Sequence, residues 1–272
     1  MRLSSVLLFL LLGFAPAWAQ SPPDTNAPTA ATPASPADTA ITPDAQSPEA
    51  VPGGVNVHWY GHGFVYLVSS VGIRAAIDPF GPDTVHYTFP PHVTADFVMV
   101  THEAEDHCAA DRIFGDPLIF RSVMAVGLQR ANGIPFNGIA LQKDPSGEGG
   151  ANTAFKLKFD GVTFCYLGQI SLPLLAQEKT QLGHVDVIFL PVGLTTLSVG
   201  DFNQIVTELG AKIVIPINYK TDLSGILSLR TLDEYLAATK FPVRNVDSSE
   251  IVVTRASLPT SPTVYVLKSP SQ

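Results

Sequence analysis

Cysteine is scarce, with only Cys108 and Cys165 in 272 residues. A single bridge is the most they can form, and an oxidising compartment would permit it without requiring it. Basic residues are also few: 16 Lys and Arg stand against 24 Asp and Glu, a formal net charge of -8. Phosphate backbones demand a basic face, so nucleic acid is excluded as a partner. Beyond the N-terminus no apolar run reaches the length of a membrane-spanning helix. The chain has no Gly-x-Ser-x-Gly elbow, which removes the usual activated serine. The glycine-rich stretch Gly147-Glu148-Gly149-Gly150 has no following Lys and carries an acid, so it is a loop rather than a phosphate cradle. No internal repeat recurs at a fixed period. What remains is 46% hydrophobic and 15% charged, a composition for a sizeable core under a modestly charged surface.

The N-terminus has the three parts of a secretory signal over residues 1–19. Arg2 supplies the charge, residues 6–12 the apolar run, and Ala17-Trp18-Ala19 the cleavage site. The mature chain is therefore expected outside the cytoplasm, secreted or periplasmic, with no stable membrane insertion after cleavage. Residues 20–53 are mostly Pro, Ala, Thr, Ser and Asp. They have too little apolar surface to offset their ordering entropy, so a disordered linker is expected there. One folded domain is expected over residues 54–268.

Within it, alternation and apolar runs predict strands over 55–59, 64–69, 73–77, 97–100, 117–120, 137–141, 154–159, 162–167, 185–191, 212–217, 251–254 and 263–267. Asp160-Gly161 is a tight-hairpin signal between two of them. Helices are expected over 109–114, 122–131 (closed by Gly133), 202–209 (closed by Gly210) and 231–238. Thr231 and Glu234 have the spacing of a capping box. Strands come first, then strands and helices interleave, which predicts an α+β fold of two packed sheets covered by helices.

The run Phe97-Val98-Met99-Val100 reads as a fully buried strand. It enters a knot of two His and three carboxylates, Thr101-His102-Glu103-Ala104-Glu105-Asp106-His107-Cys108. A buried strand ending in such side chains holds a metal or a reacting group at a sheet edge. The knot resembles the His-x-His-x-Asp-His signature of the metallo-β-lactamase superfamily, with Ala104 at the second His. Trp59-Tyr60-Gly61-His62, Ile77-Asp78-Pro79-Phe80 and Ala95-Asp96 are similar to motifs of its lactonase-like, single-domain branch. So are Gly149-Gly150-Ala151-Asn152-Thr153, Leu167-Gly168-Gln169, Leu190-Pro191-Val192-Gly193 and Ile215-Pro216-Ile217-Asn218-Tyr219.

The resemblance implies a four-layer αββα sandwich whose loops meet at one edge around two metal ions. It puts the first ion's ligands at His102, Ala104 and Tyr166, the second's at Asp106, His107 and Asn218, and the bridging carboxylate at Gln169. Only His102, Asp106 and His107 retain a good ligand type, with Asp106 the candidate catalytic group. Ala104, Tyr166, Gln169 and Asn218 stand as former ligand positions. Ala104 has no donor, and a phenol binds well only when ionised, at a pKa of about 10. The expected cofactor is none or a single divalent ion, with zinc the family default.

Two readings stay open: a hydrogen-bonded cluster in a non-catalytic, small-molecule-binding cleft, and a residual hydrolase of a small ester, lactone or phosphoester. His62 has two readings as well, a ring facing the cleft or a ring bonded to backbone. His58, His86, His92 and His184 are expected to be solvated or capping, and Asp78 to fix a neighbouring loop. With Tyr166 in the cleft, alternation points Cys165 into the core, so two unbridged thiols are expected.

Overall fold

A computed structural model describes residues 48–142, 150–225 and 228–270. The signal segment, most of the linker and the Gly147–Gly149 part of the glycine-rich loop lie outside the described residues. The first sheet is built from β1 (Val55–Gly61), β2 (Phe64–Val68), β3 (Arg74–Ile77), β4 (Phe97–Val100), β5 (Leu118–Arg121) and the late strand β13 (Glu250–Val253). Its order is β13-β1-β2-β3-β4-β5. The second sheet uses β6 (Gly127–Ala131), β7 (Ile134–Leu141), β8 (Asn152–Phe159), β9 (Val162–Tyr166), β10 (Val187–Pro191), β11 (Ile213–Ile217), β12 (Val243–Val246) and β14 (Thr263–Leu267). These run in the order β12-β14-β11-β10-β9-β8-β7-β6.

The two sheets share one core. Val57, Trp59, Phe97 and Met99 of the first join Phe136, Phe155, Phe164 and Phe189 of the second in a single buried cluster. Phe97 and Phe136 stack across the gap, 5.8 Å between ring centroids. Deleting a buried ring of this kind costs about 3–5 kcal/mol. The second sheet is covered by α2 (Val199–Leu209), whose Phe202, Ile205, Val206 and Leu209 join that core. The short helices α1 (Ala176–Leu182) and α3 (Leu232–Ala238) flank it. On the far face of the first sheet a second cluster forms around Phe64, Tyr66 and Val98. Phe80, Val85, Tyr87, Val93 and Ile113 close it, from a segment whose only helix is a single 3-10 turn at Ala110–Arg112. Among the described residues no helix is long and apolar enough to cross a membrane.

Local sequence explains the turns. Asp160 and Gly161 both take positive φ, the conformation of a two-residue hairpin that follows strand twist. The Asp160 carboxylate accepts Ser70 N at 2.7 Å and Ser70 Oγ at 2.6 Å, fastening a turn of one sheet to a turn of the other. Thr231 caps α3 and Glu234 answers it, as the spacing predicts. The helix expected over 122–131 is not formed. Ser122–Ala125 is a 3-10 turn, and Gly127–Ala131 is an edge strand paired with β7. Gly127 sits at φ +99, outside helical space, and Asn132-Gly133 is a hairpin turn with both φ positive rather than a helix stop. Val123, Val126 and Leu128, the apolar side chains of that stretch, are exposed.

Candidate functional site

Strand direction gathers the site. β3, β4 and β5 run parallel, as do β9, β10 and β11. The loops that leave their C-terminal ends carry Asp78, Thr101, Ser122, Gly168, Val192 and Asn218. Ligand sites of parallel sheets form at such ends.

Asp78 is wholly buried at the end of β3, with φ +49. Its carboxylate accepts Thr101 N at 2.7 Å and the Thr101 hydroxyl at 2.6 Å, so it fixes the start of the His102–His107 loop. Burial pushes its pKa up to about 6, against the opposing effects of His107 and the Thr101 hydrogen bonds. The Thr101 hydroxyl has one hydrogen, and Asp78 takes it. Thr101 Oγ1, 2.8 Å from His102 Nδ1, must then accept from that ring. His102 is thereby the Nδ1–H tautomer, and Nε2 carries a lone pair. That atom is buried and has no partner among the described residues. Burial, and the charge of His107, lower the His102 pKa to about 3.

Asp106 is gripped from two sides. Its Oδ2 lies 2.9 Å from His62 Nε2, and its Oδ1 lies 3.1 Å from His107 Nδ1, a close contact off the ring's N–H axis. Burial alone would raise the Asp106 pKa. The close contact of His107, the hydrogen bond from His62 and the charges of both rings outweigh it and hold the carboxyl far below its usual range. His107 responds in the opposite sense. Burial would lower its pKa, and Asp106, with Asp78 adding charge, raises it. His62, fully buried, falls to about 4 through burial despite its bond to Asp106.

His62 settles in favour of the cleft. It turns at φ +48 between β1 and β2, its ring on Asp106, while its carbonyl accepts Trp59 Nε1 and Asn218 N, each at 2.9 Å. Asn218, also at positive φ, brings its Nδ2 to 3.5 Å from His107 Nε2. Tyr166, buried on β9, donates its hydroxyl to Gly63 O at 2.7 Å. Burial and the charge of Asp78 push that phenol well above its ordinary pKa. Asp106, His107, Tyr166 and Asn218 thus lie together at one edge, with His62 between β1 and β2 joining them. His62 is the functional residue that spacing alone did not settle. Its flanking glycines were the available signal, since they permit the sharp turn that aims the ring.

Two glycines make room for the cluster. A Cβ on Gly63 would stand 2.7 Å from His107 Nε2 and 3.0 Å from the Tyr166 hydroxyl. Gly63→Ala is expected to cost about 1–3 kcal/mol through this overpacking. Urea denaturation checks it, and an unchanged midpoint would mean that the cluster is loose. Gly168, at φ +63, lies against Thr101 and Asn152, whose side chain clamps the turn through Leu167 O and Gln169 N.

Beside the cluster lies a cleft of about 800 Å³ lined by His102, Glu103, Ala104, Arg121, Met124 and Gln169, among others. Arg121 and Glu103 pair at 2.5 Å on its rim. Cys108 and Cys165 are both free thiols; burial pushes Cys165 up to about 12 and leaves it inert. His86, His92 and His184 lie at the surface, and half-buried His58 touches Glu250 and Ser249.

The donors suit one divalent ion. His62, Asp106 and His107 each offer an atom, all within 4.8 Å of one another, and two imidazoles with a carboxylate form an open three-ligand set. Ala104 ends in a methyl group, and the Tyr166 hydroxyl is bonded to Gly63 O.

A sandwich of two mixed sheets with a His and Asp centre at the strand ends defines the class, a metallo-β-lactamase-like hydrolase fold. Residues 56–218 match the β-lactamase superfamily domain, and the chain belongs to that family. A candidate Zn-dependent hydrolase of the metallo-β-lactamase superfamily from Thermotoga maritima is 25% identical. The alignment covers 79% of this chain and all of that one, with a TM-score of 0.62. A metallo hydrolase from the archaeon Ignicoccus hospitalis shares the fold at 16% identity, 80% and 97% coverage and a TM-score of 0.53. The metallo-β-lactamase-fold protein YhfI from Bacillus subtilis does so at 10%, 80% and 98%, and 0.51. No curated protein sequence matches the chain.

Proposed function

We propose that this chain keeps the metallo-β-lactamase fold without its two-metal hydrolysis, and that its activity is absent or altered. The observation that carries the reading is the Tyr166 hydroxyl bonded to Gly63 beside His107. An internal hydrogen bond occupies the place where the resemblance puts a metal ligand. Ala104 and Gln169 remove two further ligands, and Asn218 offers a neutral amide. A bound divalent ion would polarise an oxygen and acidify a water, and His62, Asp106 and His107 are the residues that would hold it. Without an ion, Asp106 is a poor general base near neutrality. Two imidazoles already hold it and keep its affinity for a proton low. The same reading has residues 1–19 removed on export and the mature chain secreted or periplasmic, with residues 20–53 as its tether.

A second reading, a mononuclear hydrolase of a small ester, lactone or phosphoester, is favoured by the three convergent donors and by the likeness to the Thermotoga protein. Metal analysis of the purified, untagged protein separates them. Less than about one zinc per chain is expected, since a closed site needs four good ligands. Two tightly held equivalents would overturn the proposal. One equivalent with zinc-dependent hydrolysis of p-nitrophenyl butyrate would select the mononuclear reading. Combining Ala104→His, Tyr166→His, Gln169→Asp and Asn218→His is expected to raise zinc content to two. No gain would show that the groups orienting the ligands have changed too.

A further inference from the structure

Apart from the Asp106 cluster, a serine, a histidine and a carboxylate meet where β1 pairs with β13. His58 and Glu250 are cross-strand partners in that pairing, and Ser249 is the residue before β13. His58 Nδ1 lies 3.4 Å from Glu250 Oε2, and Ser249 Oγ lies 3.3 Å from His58 Nε2. Burial holds His58 below its ordinary pKa, against the pull of Glu250, so the ring is neutral near neutrality. A carboxylate only accepts, so Nδ1 carries the ring hydrogen toward Glu250 and Nε2 accepts from the Ser249 hydroxyl. The sheet fixes these parts. Trp59 N donates to Ser249 O and Lys268 N to Ser248 O, each at 2.9 Å, and Glu250 N donates to Ser248 Oγ at 3.2 Å. The Tyr60 ring lies against His58, 4.1 Å between centroids. The Ser249 N–H has no partner among the described residues, which leaves a donor beside the hydroxyl. Ser249 is half-buried and the His58 side chain is 18% exposed, so a small molecule can reach both.

We infer that Ser249, His58 and Glu250 form a serine-nucleophile centre that hydrolyses small carboxylic esters without a metal ion. Such a centre is recognised by geometry and roles rather than by a motif, so the missing Gly-x-Ser-x-Gly elbow does not bear on it. Its two contacts are slightly long, as such bonds are before a substrate tightens them. Ser249 Oγ bonds to the ester carbonyl carbon while its proton passes to His58 Nε2. The carbonyl oxygen becomes negative and accepts the Ser249 N–H. The carbon–alkoxy bond then breaks, His58 gives the proton to the departing oxygen, and an alcohol leaves. His58 next takes a proton from water, whose oxygen bonds to the acyl carbon. The carbon–Oγ bond breaks, the acid leaves, and Ser249 Oγ recovers the proton. Glu250 is a positioning residue that holds the far ring nitrogen and so the tautomer. No member of this centre belongs to the Asp106 cluster, so the inference is independent of the metal question.

The test exposes chelator-treated full-length protein to a biotin-tagged fluorophosphonate. Attack forms an Oγ–P bond and expels fluoride, and peptide fragmentation maps the adduct, a readout that needs no variant. The adduct is expected on Ser249, and absent from Ser248 and from urea-unfolded protein. p-Nitrophenyl acetate should be hydrolysed in chelator, and the fluorophosphonate should block that hydrolysis. Ser249→Ala is expected to abolish both reactions, and His58→Gln to slow both at least about hundredfold. Glu250→Gln should slow them about tenfold or more, and Glu250→Asp should restore much of the rate, a rescue that a mere strand contact would not give. No adduct on the folded wild type, an adduct on another residue, equal labelling of unfolded protein, or wild-type rates in His58→Gln would each overturn the inference. Ester hydrolysis that disappears in chelator would overturn it too, because that activity belongs to the metal edge.

Discussion

Replacing Asp78 with Asn is expected to reverse the tautomer of His102. In the wild type the carboxylate accepts twice, from Thr101 N–H and from the Thr101 hydroxyl. An Asn side chain has one oxygen, and the fixed backbone N–H of Thr101 claims it. The amide NH₂ then faces Thr101 Oγ1 and donates to it, which frees the hydroxyl hydrogen to turn toward His102 Nδ1. A ring that accepts at Nδ1 carries its own hydrogen on Nε2. The buried Nε2 changes from acceptor to donor. Long-range ¹H–¹⁵N spectra should show the protonated and unprotonated nitrogens of His102 exchanging places. The fold should survive, because Asn keeps the Thr101 backbone bond and removes a charge whose burial already lifts its pKa to about 6. A His102 ring that keeps hydrogen on Nδ1 in the variant would show that the Thr101 relay does not set the tautomer.

Much of this site was legible because its parts are local or carry a strict pattern. β4 is four apolar residues with β-branched content before a polar knot, a pattern that reads as a buried strand. The Thr231 and Glu234 box and the Asp160-Gly161 turn are set by backbone chemistry within four residues. The knot at the end of a buried strand pointed to Asp106 and His107 at the edge, the family resemblance pointed to Tyr166, and alternation along β9 then turned Cys165 into the core. The Asp106 to His62 bond was not legible, since it joins residues 44 apart through a turn whose direction depends on both sheets. Residues 122–131 misled because apolar side chains at helical spacing imply a core face. Here Val126 and Leu128 stay exposed at the margin of the second sheet, where β6 pairs on one side alone. α1 was missed because its seven residues offer one strong apolar anchor, Leu182, too little for a period. The expected helical cover on the first sheet is largely an irregular segment. Its Phe80, Tyr87 and Phe89 bury as well as a helix would, with no periodicity to announce it.

In metal-free protein, stability is expected to fall by about 3 kcal/mol between pH 6 and pH 4, at about 1.4 kcal/mol per pH unit. The sign follows from counting protons. His62 and His102 have folded values of about 4 and 3, against 6.5 when unfolded. Through the middle of this window the unfolded chain therefore binds about two protons that the native state refuses, until His62 begins to titrate in place near pH 4. Asp78 works in the other direction. Its folded value is about 6, above 3.8 when unfolded, so the native state binds one proton that the unfolded chain does not. The difference is one proton in favour of the unfolded chain, and stability declines as pH falls. Below pH 4 Asp106 joins the decline. Its folded value is depressed, so its contribution is present above the unfolded value and is lost as pH drops toward the folded one. His107 acts on the alkaline side. Its folded value is raised, so its contribution is full below pH 6.5 and is lost as pH climbs through the folded value. Maximum stability should then lie near pH 6.5. Urea unfolding in chelator at pH 7, 6, 5 and 4 measures the slope, and His102→Phe removes one of the two refused protons and should flatten it. A wild-type midpoint that is level or rises on acidification would mean that the imidazoles take up protons in place, and the cluster would then be far more open to water than its burial implies.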